Sequence, residues 1–506
     1  MNPPASAAVV EVEVTTAAPL PPPPTWAAYV KKTVVPELRL QRRIALPLCA
    51  MNLASLGKCS VTAVFLGRIG ELQLAGGTLG FTFANVTGFS ILSGLCAAME
   101  PICGQAYGAG NYKLLHKTLL MATILLLAAS LPISVLWLNV DRVLVHLGQQ
   151  SDIAAVARKY VVYLIPELAA MSLLSPLKAY LNSQGVTLPT MFSSAAGLAL
   201  HVPFNVLLSK AKGIEGVAMA IWLTDLSIVI MLGSYVVMTE KARRIDGGGG
   251  DGKTAEDGEE GGRQWWKQSL AEWTTLLKLS APCCLTTCLE WWCYEILVLL
   301  TGRLPDARRM VSIIAVVFNF DYLLYAGMVS LATCASVRVS NELGAGKPEA
   351  ARRAAYVSLA LSVSAGFLGG AAMASARGEW GRLFSHEEST VEGVKKMLLL
   401  MALVEVVNFP LGTCGGIVRG TARPWLGMYA SLGGFYLVAL PLAVALGFRA
   451  KLGLGGMLLS FLVGAMTSAA LLLLFVAFID WDQEARKAKT FAGEEAPEET
   501  SDNSTA

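Results

Sequence analysis

Two carboxylates five residues apart, Glu290 and Glu295, stand in the stretch SAPCCLTTCLEWWCYEILVLL (280–300), which is otherwise apolar and as long as a membrane crossing. About 20 residues of helix span the hydrocarbon of a bilayer. An ionised carboxylate at its centre costs on the order of 2.5–3.5 kcal/mol on insertion scales. A helix that keeps two such groups therefore faces them to a cavity, a partner or a proton, and reversible proton binding is the chemistry they imply. Five residues turn a helix by about 140° and raise it by about 7.5 Å, so the two acids cannot address one spot. Trp291, Trp292 and Tyr294, interleaved with them, offer walls for a flat organic molecule.

Other ionisable residues stand in separate apolar runs. Glu405 lies in ALVEVVNFPLG, where Pro410 loosens the helix after it, and Asp321 lies beside Asn319 in another run, where both are expected to border a cavity. Lys58, in the first apolar run, needs a counterion. Glu167 is the expected partner; the sharper alternative is that Lys58 faces a cavity and attracts an anionic substrate. His201 reads as a hydrogen-bonded core residue.

Helices must position these groups. The chain has 506 residues, 54% hydrophobic and 15% charged, with a mean hydropathy of +0.54. That is too apolar for a soluble protein of ordinary composition. The apolar residues fall in runs near 44–66, 74–98, 118–140, 154–179, 189–208, 215–238, 276–300, 310–334, 354–376, 393–416, 425–447 and 455–479. The fold class expected is an all-α polytopic membrane protein. Lys and Arg cluster before the first run, in the middle linker and over Arg338–Arg353, which places both termini on the cytoplasmic side. The net charge of +3 is spread over many loops and argues against a nucleic-acid partner. All ten cysteines lie in or beside apolar runs and read as buried thiols. The four histidines (His116, His146, His201, His386) share no metal-ligand spacing, so neither a metal nor another cofactor is expected and a membrane enzyme is disfavoured.

Five segments follow: a disordered N-terminal tail (1–36), a six-helix lobe (37–239), a linker (240–272), a second six-helix lobe (273–480) and a cytoplasmic tail (481–506). Within the linker, GGGGDGKT (247–254) matches the phosphate-loop pattern but lacks the strand and helix that make it work. The lobes repeat one another: Pro47 pairs with Pro282, Gly185 with Gly420 and Pro189 with Pro424 at an offset of 235, and Gly108-Ala109-Gly110 with Gly344-Ala345-Gly346 at 236. With six crossings each, the halves point the same way through the membrane, as parallel repeats suited to alternating access. Gln105, Gly108, Gly110, Asn341, Gly344 and Gly346 are expected to form the hinges of the loops after spans two and eight.

Four stretches make the chain recognisable: EPICGQAYGAGNY (100–112), LEWWCYEILVLLTGRLP (289–305), VRVSNELGAGKPEAARRA (337–354) and GTCGGIVRGTARP (412–424). Over nearly all of residues 37–482 the sequence resembles the multidrug and toxic compound extrusion (MATE) family of cation antiporters, in its plant, detoxification-protein branch. The resemblance implies twelve transmembrane helices in two lobes, V-shaped around a central cavity. It also implies export of a small organic solute, whether metabolite, xenobiotic or hormone such as abscisic acid, in exchange for protons. Carboxylates of the seventh and tenth helices take up the proton in that family; these resemble Glu290 and Glu405, with Glu295 a second candidate. Asp321 and Gly327 depart from the family pattern, and the first span has no acid where bacterial relatives carry an aspartate. A monomer in the plasma membrane or a vacuolar or endosomal membrane is expected. A major-facilitator transporter is the rival six-plus-six architecture, but its acidic, Arg-rich loop after span two is missing from CGQAYGAGNYKLLHK.

Overall fold

The computed structural model describes residues 30–247 and 269–493; the first 29 residues, positions 248–268 with all but the first residue of GGGGDGKT, and the last 13 residues lie outside them. Among the described residues, twelve helices are long and apolar enough to cross a membrane. In chain order they are α1 (Val30–Ile69), α2 (Glu71–Gly108), α3 (Tyr112–Leu138), α4 (Ser151–Ser183), α5 (Leu188–Lys212) and α6 (Ile214–Ala242). The second set is α7 (Leu270–Thr301), α8 (Ala307–Gly344), α9 (Pro348–Phe384), α10 (Glu388–Gly420), α11 (Pro424–Arg449) and α12 (Gly453–Ala477). A thirteenth, amphipathic helix, α13 (Trp481–Phe491), follows.

Two expected boundaries shift. Helix begins at Val30, inside the segment expected to be a disordered tail, because Glu37 and Gln41 of that first stretch bury themselves against the second lobe. The tail beyond 480 starts as an ordered helix: Trp481 is buried, and Glu484 pairs with Arg423 and Lys487. The start of α7 is fixed by a capping box, with the Ser269 hydroxyl accepting from the Glu272 amide (3.2 Å) and the Glu272 carboxylate accepting from the Ser269 amide (2.9 Å). The other oxygen of Glu272 takes the Lys117 ammonium of α3 at 2.9 Å, so the helix is pinned to the opposite lobe at its first turn.

Each lobe has its own core. One is centred on Leu92, Trp137, Tyr160 and Leu164, the other on Val317, Leu398, Ile417 and Phe461. Where the lobes meet, α1 packs on α8 and α2 on α7, so the first helix of each half lies against the second helix of the other. This exchange is the three-dimensional counterpart of the sequence repeat. The second helices also cross each other, and a Cβ on Gly108 would run into the Asn341 carbonyl while one on Gly344 would run into the Gln105 carbonyl. The crossing is thus reciprocal and closer than any side chain permits. Just beyond it, Gly110 (φ 75°) and Gly346 (φ 67°) end their helices in the left-handed region that glycine enters freely.

Polar contacts between the lobes gather at the end of the bundle where α1 and α7 begin. Arg338 grips Glu37 with two hydrogen bonds of 2.9 Å. Arg419 pairs with Glu100 at 3.1 Å. Gln41 donates to the Ala354 carbonyl (3.1 Å) and Gln105 to the Gly420 carbonyl (3.2 Å). Helix α13 adds a strap there, since Asn111 of the first lobe donates to the Ala492 carbonyl (2.8 Å).

Candidate functional site

Two cavities lie inside this frame. A central one of about 410 Å³ is bounded by both lobes, through Asn52, Glu100 and Asn182 from the first and Glu290, Tyr325 and Arg419 from the second. A second, of about 460 Å³, enters the first lobe and is lined by Lys58, Glu167, His201 and Asp225. Ser93, Ser175, Lys178 and Trp291 line both, so the two are neighbours across a shared wall.

Consecutive residues on α7 diverge by about 100° each, and the structure separates what the sequence had grouped. Glu290 faces the central cavity and accepts a hydrogen bond from Ser431 of α11 at 3.0 Å. Helix α11 loosens into π-helical turns over Leu432–Ala439, directly after that serine. Trp291 is a cavity wall, beside Tyr325. Trp292 is not one: it turns outward and spans the lobes by donating to the Val86 carbonyl at 3.1 Å. Tyr294 also leaves the cavity, entering the second lobe's core edge-on to Phe318 and Phe461 with ring centroids 5.2 and 4.8 Å away. Glu295 lines neither cavity and makes no hydrogen bond or ion pair among the described residues; Tyr322 of α8 is within its electrostatic reach.

Asp321 of α8 and Glu405 of α10 come together inside the second lobe. Both are almost fully buried, 4% and 1% exposed, and their carboxyls are set against each other. A carboxylate only accepts, so a hydrogen bond between them needs a proton on one of the two. Asn408, one turn after Glu405, lies near the Glu405 carboxyl and donates to the Tyr294 hydroxyl (3.5 Å). The second Glu405 oxygen, Oε1, has no partner among the described residues. Asn319, expected beside this site, is instead exposed: two residues before Asp321 means about 200° around the helix.

The first lobe corrects the expected ion pair. Lys58 pairs directly with Asp225 of α6, a residue the sequence reading passed over, and Glu167 lies beside Asp225, within electrostatic reach of both. Lys58 thus lines the first-lobe cavity with its charge met by Asp225. An acid in the middle of WLTDLSIVI was the available signal, since an intramembrane aspartate needs a partner as much as a lysine does. His201 is fully buried between Thr62 (3.0 Å) and Thr224 (2.9 Å), as a hydrogen-bonded core residue should be. Gln105, Gly108, Asn341 and Gly344 make the interlobe crossing described above, while Gly110 and Gly346 terminate its helices. No group of three or more metal-ligating side chains occurs among the described residues.

Comparison with known proteins agrees with this architecture. The MatE family model matches residues 47–207 and 282–445, two segments that begin 235 residues apart, the offset of the internal repeat. Protein DETOXIFICATION 56 of Arabidopsis thaliana is 57% identical over 474 residues, covering 94% of this chain and 94% of that protein. Protein DETOXIFICATION 48 of the same plant is 37% identical over 469 residues, covering 92% and 84%. Among solved structures, the eukaryotic MATE transporter AtDTX14 superposes with a TM-score of 0.81 at 30% identity, covering 91% of this chain and 99% of that one. A MATE protein in a bent conformation superposes at 0.76 with 13% identity, over 90% and 97%, which shows the shared fold. These neighbours are transporters rather than enzymes. With the family model on both halves and a relative more than half identical along nearly the whole chain, this protein belongs to the MATE family of multi-pass membrane transporters.

Proposed function

We propose that the protein is a proton-coupled antiporter, exporting a small organic solute by alternating access between its two lobes. The observation that carries this reading is the Asp321–Glu405 carboxyl pair, two neighbouring acids able to share one proton, buried in one lobe and apart from both cavities. With the proton in place the pair is a singly charged, internally bonded unit. Loss of the proton leaves two like charges side by side in a low-dielectric lobe, which the helices relieve by moving apart or admitting water. Proton and solute then compete through conformation, with no need to share a contact. Glu290, on the central cavity, is the group of the second lobe that the solute meets. Small organic solute, lipid bilayer and proton are the partners of this cycle; plasma membrane and vacuolar or endosomal membranes all supply the required gradient.

The test is solute flux in sealed vesicles under an imposed pH gradient. Glu405→Gln and Asp321→Asn each keep the shape of the pair and remove its titration. Gradient-driven flux is expected to fall at least tenfold in both, with facilitated exchange in the absence of a gradient retained. Undiminished gradient-driven flux in both variants would sink this assignment and move the search for the coupling group to Glu290 or Glu295.

A further inference from the structure

We infer that the junction of the two cavities is an anion subsite, built on Lys178, that takes the carboxylate of an aromatic organic acid. The inference rests on the transport reading for its purpose and on independent geometry for its substance. Along α4, residues Glu167, Met171, Ser175, Lys178 and Asn182 recur at the three- and four-residue spacing of one helix face, and all five line a cavity. Lys178 lines both cavities, and among the described residues its ammonium makes neither a hydrogen bond nor an ion pair.

The neighbouring cations have direct partners. Asp225 accepts from the Lys58 ammonium, with Glu167 beside it, and Lys178 lies within electrostatic reach of both acids without touching either. Arg419 and Glu100, on the wall of the central cavity, neutralise each other. Glu290 lines the central cavity from the other lobe, where it accepts from Ser431, and forms no ion pair with Lys178. Lys178, partly buried at the cavity junction, is the cation among these with no direct hydrogen-bond or ion-pair partner among the described residues, so a bound anion can supply one.

The surroundings specify which anion. Ser93, Ser175 and Asn182 are hydrogen-bonding neighbours on the cavity walls, and Asn182 accepts from Thr190 (3.4 Å) through its oxygen, which leaves its amide hydrogens available. Trp291, Phe81, Phe89 and Tyr160 supply flat apolar walls to the cavity that Lys178 also lines. Cavities of about 410 and 460 Å³ exceed what a halide needs and suit a ring system bearing one carboxylate.

The experiment uses the full chain in lipid nanodiscs with two probes of one shape, 1-naphthoate and 1-naphthylmethylammonium, and reads the shift of the unfolding midpoint and the dissociation constant by calorimetry. Naphthoate is expected to bind wild type at least tenfold more tightly than the ammonium twin. Lys178→Met should weaken naphthoate at least tenfold, and Lys178→Arg should retain it within threefold. An ammonium twin that binds wild type as well as naphthoate does overturns the subsite without recourse to any variant, as does a well-folded Lys178→Met that binds naphthoate normally. Sodium chloride at matched ionic strength giving the same stabilisation overturns the organic-acid assignment in favour of a simple halide site. Binding is measured without a pH gradient, so it survives if Glu405→Gln refutes proton coupling, and its own failure leaves the coupling result intact.

Discussion

Lys58 and Asp225 show what a single buried ion pair demands of its neighbourhood. Their side chains are 13% and 11% exposed, and Glu167, beside the aspartate, is 4% exposed. Removing one partner of such a pair strands the other charge, at a cost of about 3–5 kcal/mol, whereas replacing both by apolar groups of similar volume is often neutral. Asp225→Leu should therefore lower the reversible unfolding free energy of the detergent-solubilised protein by about that amount, and Lys58→Met together with Asp225→Leu should recover most of it. A double variant no better than the single one would mean that the pair is not an energetic unit. The same residues mark the limit of reading a site from sequence. That Lys58 required an acid followed from its position in an apolar run; that the acid was Asp225 did not, because both candidates lie on helices that only tertiary packing brings to α1. Trp292 and Tyr294 misled for the opposite reason: both stand next to true wall residues in the chain, and the 100° step of a helix sends each elsewhere. Asp321 was visible as a departure from the family pattern, but its partnership with Glu405 joins α8 to α10 and has no signature in either stretch alone.

At the scale of elements, the helices and their twofold relation were legible, since twenty-residue apolar runs and matched Gly and Pro positions reflect constraints of the bilayer and of close crossings. Less legible were the contacts that hold the halves at one end. The Arg338–Glu37 fork joins α8 to the first turns of α1, a stretch whose polarity reads as tail, with Glu37 only 3% exposed. Above it Cys334, 1% exposed, donates to the Gln41 carbonyl and packs with Ile44, Leu48 and Met51 of α1. Opening this end requires α1 to leave α8, which uncovers that thiol. Arg338→Ala is expected to shift the population toward the open arrangement and to raise the maleimide labelling rate of Cys334 at least tenfold, read by peptide mass spectrometry. Cys103 and Cys414, fully buried away from the α1–α8 interface, should be unchanged. A general rise in labelling of all three would indicate unfolding, and no rise at Cys334 would mean that the fork does not latch the lobes. Gly344→Val bears on the neighbouring crossing, where the added side chain collides with the Gln105 carbonyl. It should favour the open arrangement by the same readout.

For the molecule as a whole, the charge of the solute decides how much work the membrane performs. Exchange of one monovalent cation for one proton moves no net charge, so only the pH difference drives it, at about 1.4 kcal/mol per unit. Export of one carboxylate for one imported proton moves two charges in the same electrical sense. A potential of 100 mV, negative on the cytoplasmic side, then adds about 4.6 kcal/mol per cycle, twice the 2.3 kcal/mol for a single charge. That is more than a thousandfold in attainable gradient. Two features of the structure suit the second regime: the unpaired Lys178 at the cavity junction and a proton site, Asp321–Glu405, in the opposite lobe and apart from both cavities. A solute anion and a coupling proton held in different lobes need not neutralise each other, so the transport cycle retains its charge. In vesicles at equal pH on both sides, a potassium diffusion potential set with valinomycin should drive naphthoate movement in the wild type, reverse when the potential is reversed, and leave naphthylmethylammonium exchange unaffected. Naphthoate flux that responds to pH but ignores the potential would show that the acid travels in its neutral, protonated form, and Lys178 would then have to be a packing residue whose charge is balanced by Glu290 across the cavity.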